Sequence, residues 1–328
     1  MRRLRTGVSA RIHSADCVGV LGSFAQSALR RVRCPAVAAL TLFPRSVMRR
    51  LLILVAALLP AITHAQTTDK TLQRIRDSKT ITIAYRTDAP PFSYEVNSQP
   101  AGYTVELCKR VVTSLEQQLK VQPIAVKWVP SNVQTRLDLV RKGQVDLECG
   151  TTTATLSRME LVDFSNPVWV DATGLLVRKS AGARTLGSLA GKTIVVVTDT
   201  PNERALDDAL KLGLVKAQVI RAKTYDEAIS LLESGKADAL AAGKVMLAGM
   251  ATKLKDPSTY ELLDEDIGYV PYAIVLPLGA SGLRQAVNRA LSQIYASEAI
   301  VEIFRGTFGN SKPSLPLLIM YRLNTYPE

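Results

Sequence analysis

Histidine is nearly absent. The 328 residues hold two, His13 and His64, and both precede a stretch that reads as an export cleavage site. The exported chain would hold none. That excludes Ser-His-Asp or Cys-His catalysis and any His-ligated metal. Carboxylate, lysine or tyrosine chemistry stays open. Aromatics make up 5% of the chain, and no Lys/Arg run interleaves with them past the leader, so no nucleic-acid partner is expected. Cysteine is scarce too: Cys17 and Cys34 fall in the leader, which leaves Cys108 and Cys149. Their spacing carries no metal signature, and neither a metal nor a cofactor is expected. Each sits on an apolar face, Cys108 with Val105 and Val112, Cys149 with Val145 and Leu147. The pair therefore reads as two buried thiols, with a disulfide as the alternative in an oxidising compartment.

Long apolar runs are also missing. The most apolar segment, LLILVAALLPAITHA, follows Met48-Arg49-Arg50. It is too short to span a bilayer and has the layout of a secretory signal: a basic start, an apolar core and a small-residue end. Cleavage is expected after Ala65. Gln66 would then be the first mature residue, which argues against a lipid anchor there. Residues 1–47 are Arg-rich and aperiodic. We read them as the product of an upstream start codon, with Met48 the true start, rather than as a long leader. Residues 1–65 hold ten arginines and one aspartate, nine of the twelve net positive charges. The basic balance thus belongs mainly to the export signal and implies no polyanionic partner.

The remainder alternates strands and helices, which implies an α/β fold with mainly parallel sheets flanked by helices. Thr71–Ser78 reads as a lead-in helix, 80–85 as a strand, and 86–92 as a loop at its carboxyl end. A helix over 103–120 and a strand over 124–129 follow. A helix then starts at Ser131, with Gln134 completing a capping box. Past Pro167 the plan repeats with a strand over 191–197, a helix opened by Thr200-Pro201 with Glu203 as its box partner, a strand at 219–220 and a helix over 225–234. In both halves a helix ends at glycine, Gly143 or Gly235, and an aspartate follows three residues on, Asp146 or Asp238. Two lobes are expected: 66–167 plus 273–328, and 173–266. Crossings at 168–172 and 267–272 would form a two-strand hinge. A last helix would cover 283–303, and the tail after Gly309 would lie extended on the surface.

The stretch with most chemistry is QVDLECGTTTATLSRMELVDFSNP, from Gln144 to Pro167. Val145, Leu147 and Cys149 alternate with Asp146 and Glu148 as in a half-buried strand. Gly150, Thr151, Thr152 and Thr153 then set backbone and hydroxyl donors at the strand's carboxyl end, with Arg158 close behind. Donors there in an open α/β sheet suit a small anion.

GTTTATLSRMELVDFSNP resembles the signature of the bacterial extracellular solute-binding proteins of the polar amino-acid family, and the likeness extends from about Thr71 to about Gly309. Its glutamate/aspartate-binding branch is the nearest. The resemblance implies a two-lobed periplasmic-binding-protein fold, location in the periplasm, a monomer that serves an ABC permease of the inner membrane, and a small acidic amino acid held between closing lobes. It implies that Arg158 clamps the α-carboxylate, with Gly150, Thr151 and Thr153 adding contacts. Arg86, in YRTDAPPF, and Arg136, in QTRLDLV, would face the second carboxylate. Thr200, at a helix N-terminus, would be the second lobe's carboxylate contact. Two positions depart from the pattern. Tyr225 stands where that branch has a histidine, and Gly243 replaces the aspartate that accepts the ligand's ammonium, with Lys244 next to it as a possible fourth cation. The ligand would then be a non-amino dicarboxylate, or another carboxylate such as Asp199 would substitute. An alternative on the same fold is a periplasmic dehydratase-like enzyme, for which Glu148 and Asp199 are the candidate cleft carboxylates, although Glu148 is expected to face away. A role as sensor partner of a signalling receptor also stays open.

Overall fold

The structure, a computed structural model, describes residues 69–327. The expected export signal, the Met48 start and the Ala65 cleavage point lie outside them.

Helix α1 (Lys70–Ser78) is capped by Asp69, whose carboxylate accepts from the Thr71 and Leu72 N–H groups. Strand β1 (Thr80–Arg86) leads into a small antiparallel sheet of β2 (Asp88–Ala89), β3 (Ser93–Val96) and β4 (Gln99–Ala101). Helix α2 (Tyr103–Leu119) buries one face through Val105, Leu107, Cys108, Val111 and Leu115. Then come β5 (Ala125–Ser131), the short helix α3 (Arg136–Arg141), β6 (Leu147–Cys149) and the single-turn helix α4 (Leu156–Met159). Strand β7 (Val162–Arg178) is 17 residues long and runs from the first half into the second. The second half holds β8 (Thr193–Val197), α5 (Pro201–Leu212), β9 (Gln218–Ala222), α6 (Tyr225–Glu233), β10 (Ala239–Gly243), α7 (Lys244–Ala251) and β11 (Tyr260–Leu262). Strand β12 (Gly268–Pro277) returns to the first half, and α8 (Ser281–Tyr295), α9 (Ala299–Phe308) and α10 (Leu315–Leu323) close the chain.

The strand order is β5-β1-β6-β12-β7-β10-β8-β9, with β11 on β7. The parallel blocks, β5-β1-β6 and β10-β8-β9, are therefore two halves of one hydrogen-bonded path. The antiparallel pair β7 and β12 joins them. Strand β12 pairs with β6 of the first block and β7 with β10 of the second, and the two pair with each other, which is why the halves are not separate sheets.

The repeated Gly-x-x-Asp has a structural cause. Gly143 and Gly235 take φ of +66° and +74°, where a side chain is disfavoured. Asp146 and Asp238 then do the same job in each half. Each carboxylate accepts from the backbone N–H of Thr82 or Thr193, at 2.8 and 2.9 Å, and each backbone N–H donates to that same threonine's carbonyl. Each turn thereby locks its following strand beside the strand that opened the half.

Four local expectations are corrected. Ser131 does not open a helix: β5 stays paired with β1 through Arg86 and Ser131, and the Ser131 hydroxyl donates to the Tyr85 carbonyl. Asn132 takes over the turn, its side-chain oxygen accepting from the Gln134 and Thr135 N–H groups. The helix expected over 283–303 is broken between α8 and α9, where the Ser297 hydroxyl donates to the Ile294 carbonyl and competes with helical bonding. The tail is not an extended strap. Ser314 caps α10, Pro316 fits its first turn, and Leu317, Met320 and Tyr321 are buried, with the Tyr321 hydroxyl 2.5 Å from that of Tyr103. Finally, Cys108 and Cys149 form a disulfide, with Cα atoms 6.4 Å apart. Periodicity shows that each faces the core; it does not show that α2 packs its Cys108 face onto β6.

Candidate functional site

The carboxyl ends of β1 and β6 and the start of α3 bring three arginines into one place between the halves. Arg86 ends β1 and is 2% exposed; Arg136 opens α3 and is 3% exposed. Arg158 sits part-buried on α4. Arg86 Nε donates to Asp88 Oδ1 at 2.6 Å, its guanidinium lies over the Tyr225 ring at 5.9 Å, and its Nη2 is buried with no partner. Arg136 Nε donates to the Thr152 hydroxyl at 2.9 Å and its Nη1 to the Val133 carbonyl. Arg158 spans the two halves: Nη1 donates to the Thr153 carbonyl at 2.9 Å and Nη2 to the Asp199 carbonyl at 2.6 Å.

The electrostatics follow from burial and crowding. Burial, then the neighbouring Arg86 and Arg158 cations, push the Arg136 pKa down to about 9. Burial also lowers that of Arg158, against opposing pulls from Glu148 and Asp199. For Arg86, burial disfavours the cation, but Asp88 beside it outweighs that and raises its pKa. Burial raises the Tyr225 hydroxyl to about 12, so that ring stays neutral.

Glu148 is not turned away from the site. Strand β6 is central and buried on both faces, Leu147, Glu148 and Cys149 alike, so it is not the half-buried strand that its alternation implies. The Glu148 carboxylate is fully buried and neither oxygen has a hydrogen-bond partner. Burial raises its pKa, while Arg136, the nearby Thr152 hydroxyl and Arg86 act to lower it. That hydroxyl, engaged with Arg136, lies outside hydrogen-bond geometry to the carboxylate. A Cβ on Gly150 would stand 2.2 Å from Glu148 Oε1 and 2.6 Å from Arg86 Cγ. Glycine is thus required at 150 so that a carboxylate and a guanidinium can lie beneath the backbone.

The remaining expected residues divide. The Thr153 backbone bridges to Tyr272, and the Thr153 carbonyl receives Arg158. The Thr151 hydroxyl lies 3.8 Å from Met246 Sδ, across the gap; of the three hydroxyls it is that of Thr152 that accepts from an arginine side chain. Thr200 does not cap α5. Its hydroxyl donates to the Val197 carbonyl at 2.7 Å, and Glu203 instead accepts from the Asp199 N–H. The N-terminus of α5 is therefore left without a side-chain cap. Lys244 is not a free fourth cation: its ammonium donates to the Asp264 carbonyl and, at 2.7 Å, to Asp266 Oδ1. Asp171 and Tyr272, which sequence reasoning missed, fill the space in front of Gly243. A Cβ there would come within 2.3 Å of the Tyr272 hydroxyl and 2.4 Å of Asp171 Oδ2. A large open hollow of about 760 Å³, lined by Arg284, Asn288, Arg289 and Tyr326 among others, shares no residue with the arginine cluster.

A two-lobed α/β molecule with charged groups gathered at facing strand ends defines a ligand-binding class of protein. The chain belongs to the bacterial extracellular solute-binding proteins, family 3, whose model matches residues 81–310. It is 32% identical over 265 residues to the L-glutamate/L-aspartate-binding protein of Pseudomonas aeruginosa, covering 79% of this chain and 87% of that one. It is 27% identical over 274 residues to a glutamate/aspartate import solute-binding protein of Escherichia coli, covering 83% and 91%. Among solved structures it is similar in fold to a Streptococcus pneumoniae ABC uptake transporter substrate-binding protein with bound histidine. The TM-score is 0.65 at 22% identity, over 75% of this chain and 98% of that one. An ancestral amino acid-binding protein that preceded cyclohexadienyl dehydratase shares the fold at TM-score 0.61 and 23% identity, over 73% and 99%.

Proposed function

We propose that this protein is the periplasmic substrate-binding component of an ABC importer and that it takes glutamate or aspartate between its two lobes. The observation that carries the reading is the arginine cluster with its unsatisfied donor. Burying a guanidinium is costly unless it is paired, and Arg86 Nη2 is buried without a partner. Asp88, Glu148 and Asp199 offset the three guanidiniums only in part, because burial disfavours the Glu148 anion and the Asp88 bond to Arg86 leaves Nη2 without an acceptor. A ligand with two carboxylates supplies the missing acceptors. One would take the Arg158 fork, which now rests on the Thr153 and Asp199 carbonyls; the other would reach Arg86 and Arg136. Gly150 and Thr153 would border the α-carboxylate, and the uncapped start of α5 at Thr200 would favour negative charge. Tyr225 would present its ring to the side-chain end.

In this reading β7 and β12 act as the hinge, near 168–172 and 267–272. Closure would be held by contacts that already cross the gap, Arg158 to Asp199 and Gln134 to the Lys223 carbonyl. The protein would be a monomeric carrier without catalysis, delivering its ligand to an inner-membrane permease. The relatives' printed roles in glutamate and aspartate import support this. Isothermal titration of the protein recovered from the periplasmic fraction tests it. Glutamate or aspartate should bind, with glutamine and arginine at least ten-fold weaker. Binding of a neutral or basic amino acid, with every diacid inert, would refute it.

A further inference from the structure

The cleft described so far accounts for two ligand carboxylates and leaves an ammonium unassigned. Resting on the acidic amino-acid reading above, we propose that Asp171, carried by the crossing strand β7, is the group that accepts the ligand's ammonium.

Asp171 is 2% exposed. Its Oδ1 accepts from the Val245 N–H at 3.2 Å and its Oδ2 from the Tyr272 hydroxyl at 3.0 Å. An ionised carboxylate offers about four acceptor sites, so capacity remains. Among the described residues no cation pairs with it. Lys244, at this corner, is tied to Asp266 and the Asp264 carbonyl. Asp171 also borders, with Lys244, Asp266 and Tyr269, an outer hollow of about 530 Å³. A buried carboxylate without a cation is unfavourable, and a ligand ammonium is the kind of group that offsets it.

Position ties the pair to the binding cleft. Tyr272 is bridged through its backbone to Thr153, and the Ala273 N–H donates to the Thr152 carbonyl. The Tyr272 hydroxyl lies close enough to Tyr225 and Arg86 for both to act on its proton. The Asp171 carboxylate and this hydroxyl together occupy the space in front of Gly243 at the end of β10. Glycine there leaves room for a carboxylate that comes from another strand. The other fully buried cleft carboxylate, Glu148, lies beneath Gly150 against the Arg86 side chain and is flanked by cations.

Asp171 also serves α7, whose N-cap residue, Gly243, has no side chain to cap with. A purely structural role would weaken every ligand alike, so the test compares ligands that differ by the amino group alone. Glutamate and glutarate are titrated into the periplasmic protein and into D171N, which keeps an oxygen for Val245 and removes the charge. The wild type should bind glutamate at least about ten-fold tighter than glutarate. D171N should lose roughly 10- to 100-fold for glutamate and stay within about three-fold for glutarate. A wild type indifferent to the amino group, or a folded D171N with unchanged preference, would overturn the proposal while leaving the diacid site standing. A wild type that binds neither ligand overturns the functional reading and this assignment with it. If D171N fails to fold, Asp171→Ser is read in the same way, with loss for glutamate and not for glutarate supporting the assignment and an unchanged preference overturning it.

Discussion

Replacing Arg136 with methionine should make the empty protein more stable and a poorer binder. In the empty cleft the Arg136 cation is buried against Arg86 and Arg158, and its pKa falls from 12.5 to about 9. At 1.36 kcal/mol per pKa unit that strain is on the order of 5 kcal/mol. Methionine forfeits the bonds to Thr152 and the Val133 carbonyl, each worth about 1 kcal/mol, so a gain of roughly 2–3 kcal/mol should survive. For a domain of this size about 1 kcal/mol shifts Tm by 2–4 °C, which puts the expected rise near 5–10 °C. Binding moves the other way. A charge-assisted hydrogen bond contributes about 1.5–3 kcal/mol, so glutamate affinity should drop by about one to two decades. Thermal unfolding with and without glutamate reads both effects, because ligand stabilisation scales as RT ln(1 + [L]/Kd). A lower Tm for empty R136M together with undiminished glutamate stabilisation would refute this: Arg136 would then be a structural residue, not a strained ligand anchor.

Three further outcomes are expected. Burial raises the Asp171 pKa from 3.8 to about 6, with Asp266 adding to the effect and the Tyr272 and Val245 bonds opposing it. The folded state thus holds a proton that the unfolded chain has lost between those values. Its stabilising contribution, about 3 kcal/mol at most, is present below pH 4 and lost as pH rises through 6. Uptake of an ammonium ligand should expel that proton. Lys244, bound to Asp266, is the other charge at this corner. Glutamate affinity should therefore fall about ten-fold from pH 7 to pH 5; titrations on D171N should be flat over that range. Removing the Cys108–Cys149 bridge, which spans 41 residues, should cost about 4 kcal/mol and lower Tm by roughly 10 °C, seen by melting the protein with and without reductant. Gly150→Ala should abolish glutamate binding in calorimetry, because its methyl meets Glu148 and Arg86 at 2.2 and 2.6 Å; retained affinity would mean the cluster is looser than described.

Much of this molecule is legible from residue order alone. The repeated Gly-x-x-Asp exposes two similar halves, because each aspartate must reach the neighbouring strand's N–H. The end of a strand rich in β-branched residues locates Arg86, and the alternation of Val145, Leu147 and Cys149 locates Gly150. Contacts between segments distant in sequence were not legible. Glu148 faces the arginines because β6 is covered on both faces, and alternation cannot report a second covered face. The disulfide needs the packing of α2 on β6. Lys244 reads as free in the sequence because Asp266 lies 22 residues on. Asp171 becomes visible only when β7 and β10 stand side by side, with Gly243 opposite Thr173. The tail helix was hidden by Pro313 and Pro316, which suggest an extended chain until Ser314 is seen capping the turn.

The central claim is that converging guanidiniums between the lobes hold the two carboxylates of a compact acid. A crystal structure of the protein grown with glutamate tests it most directly. It should show one carboxylate within hydrogen-bond distance of the Arg158 fork and the other on Arg86 and Arg136. Glutamate seated elsewhere, with Arg86 Nη2 still unpartnered, would contradict it.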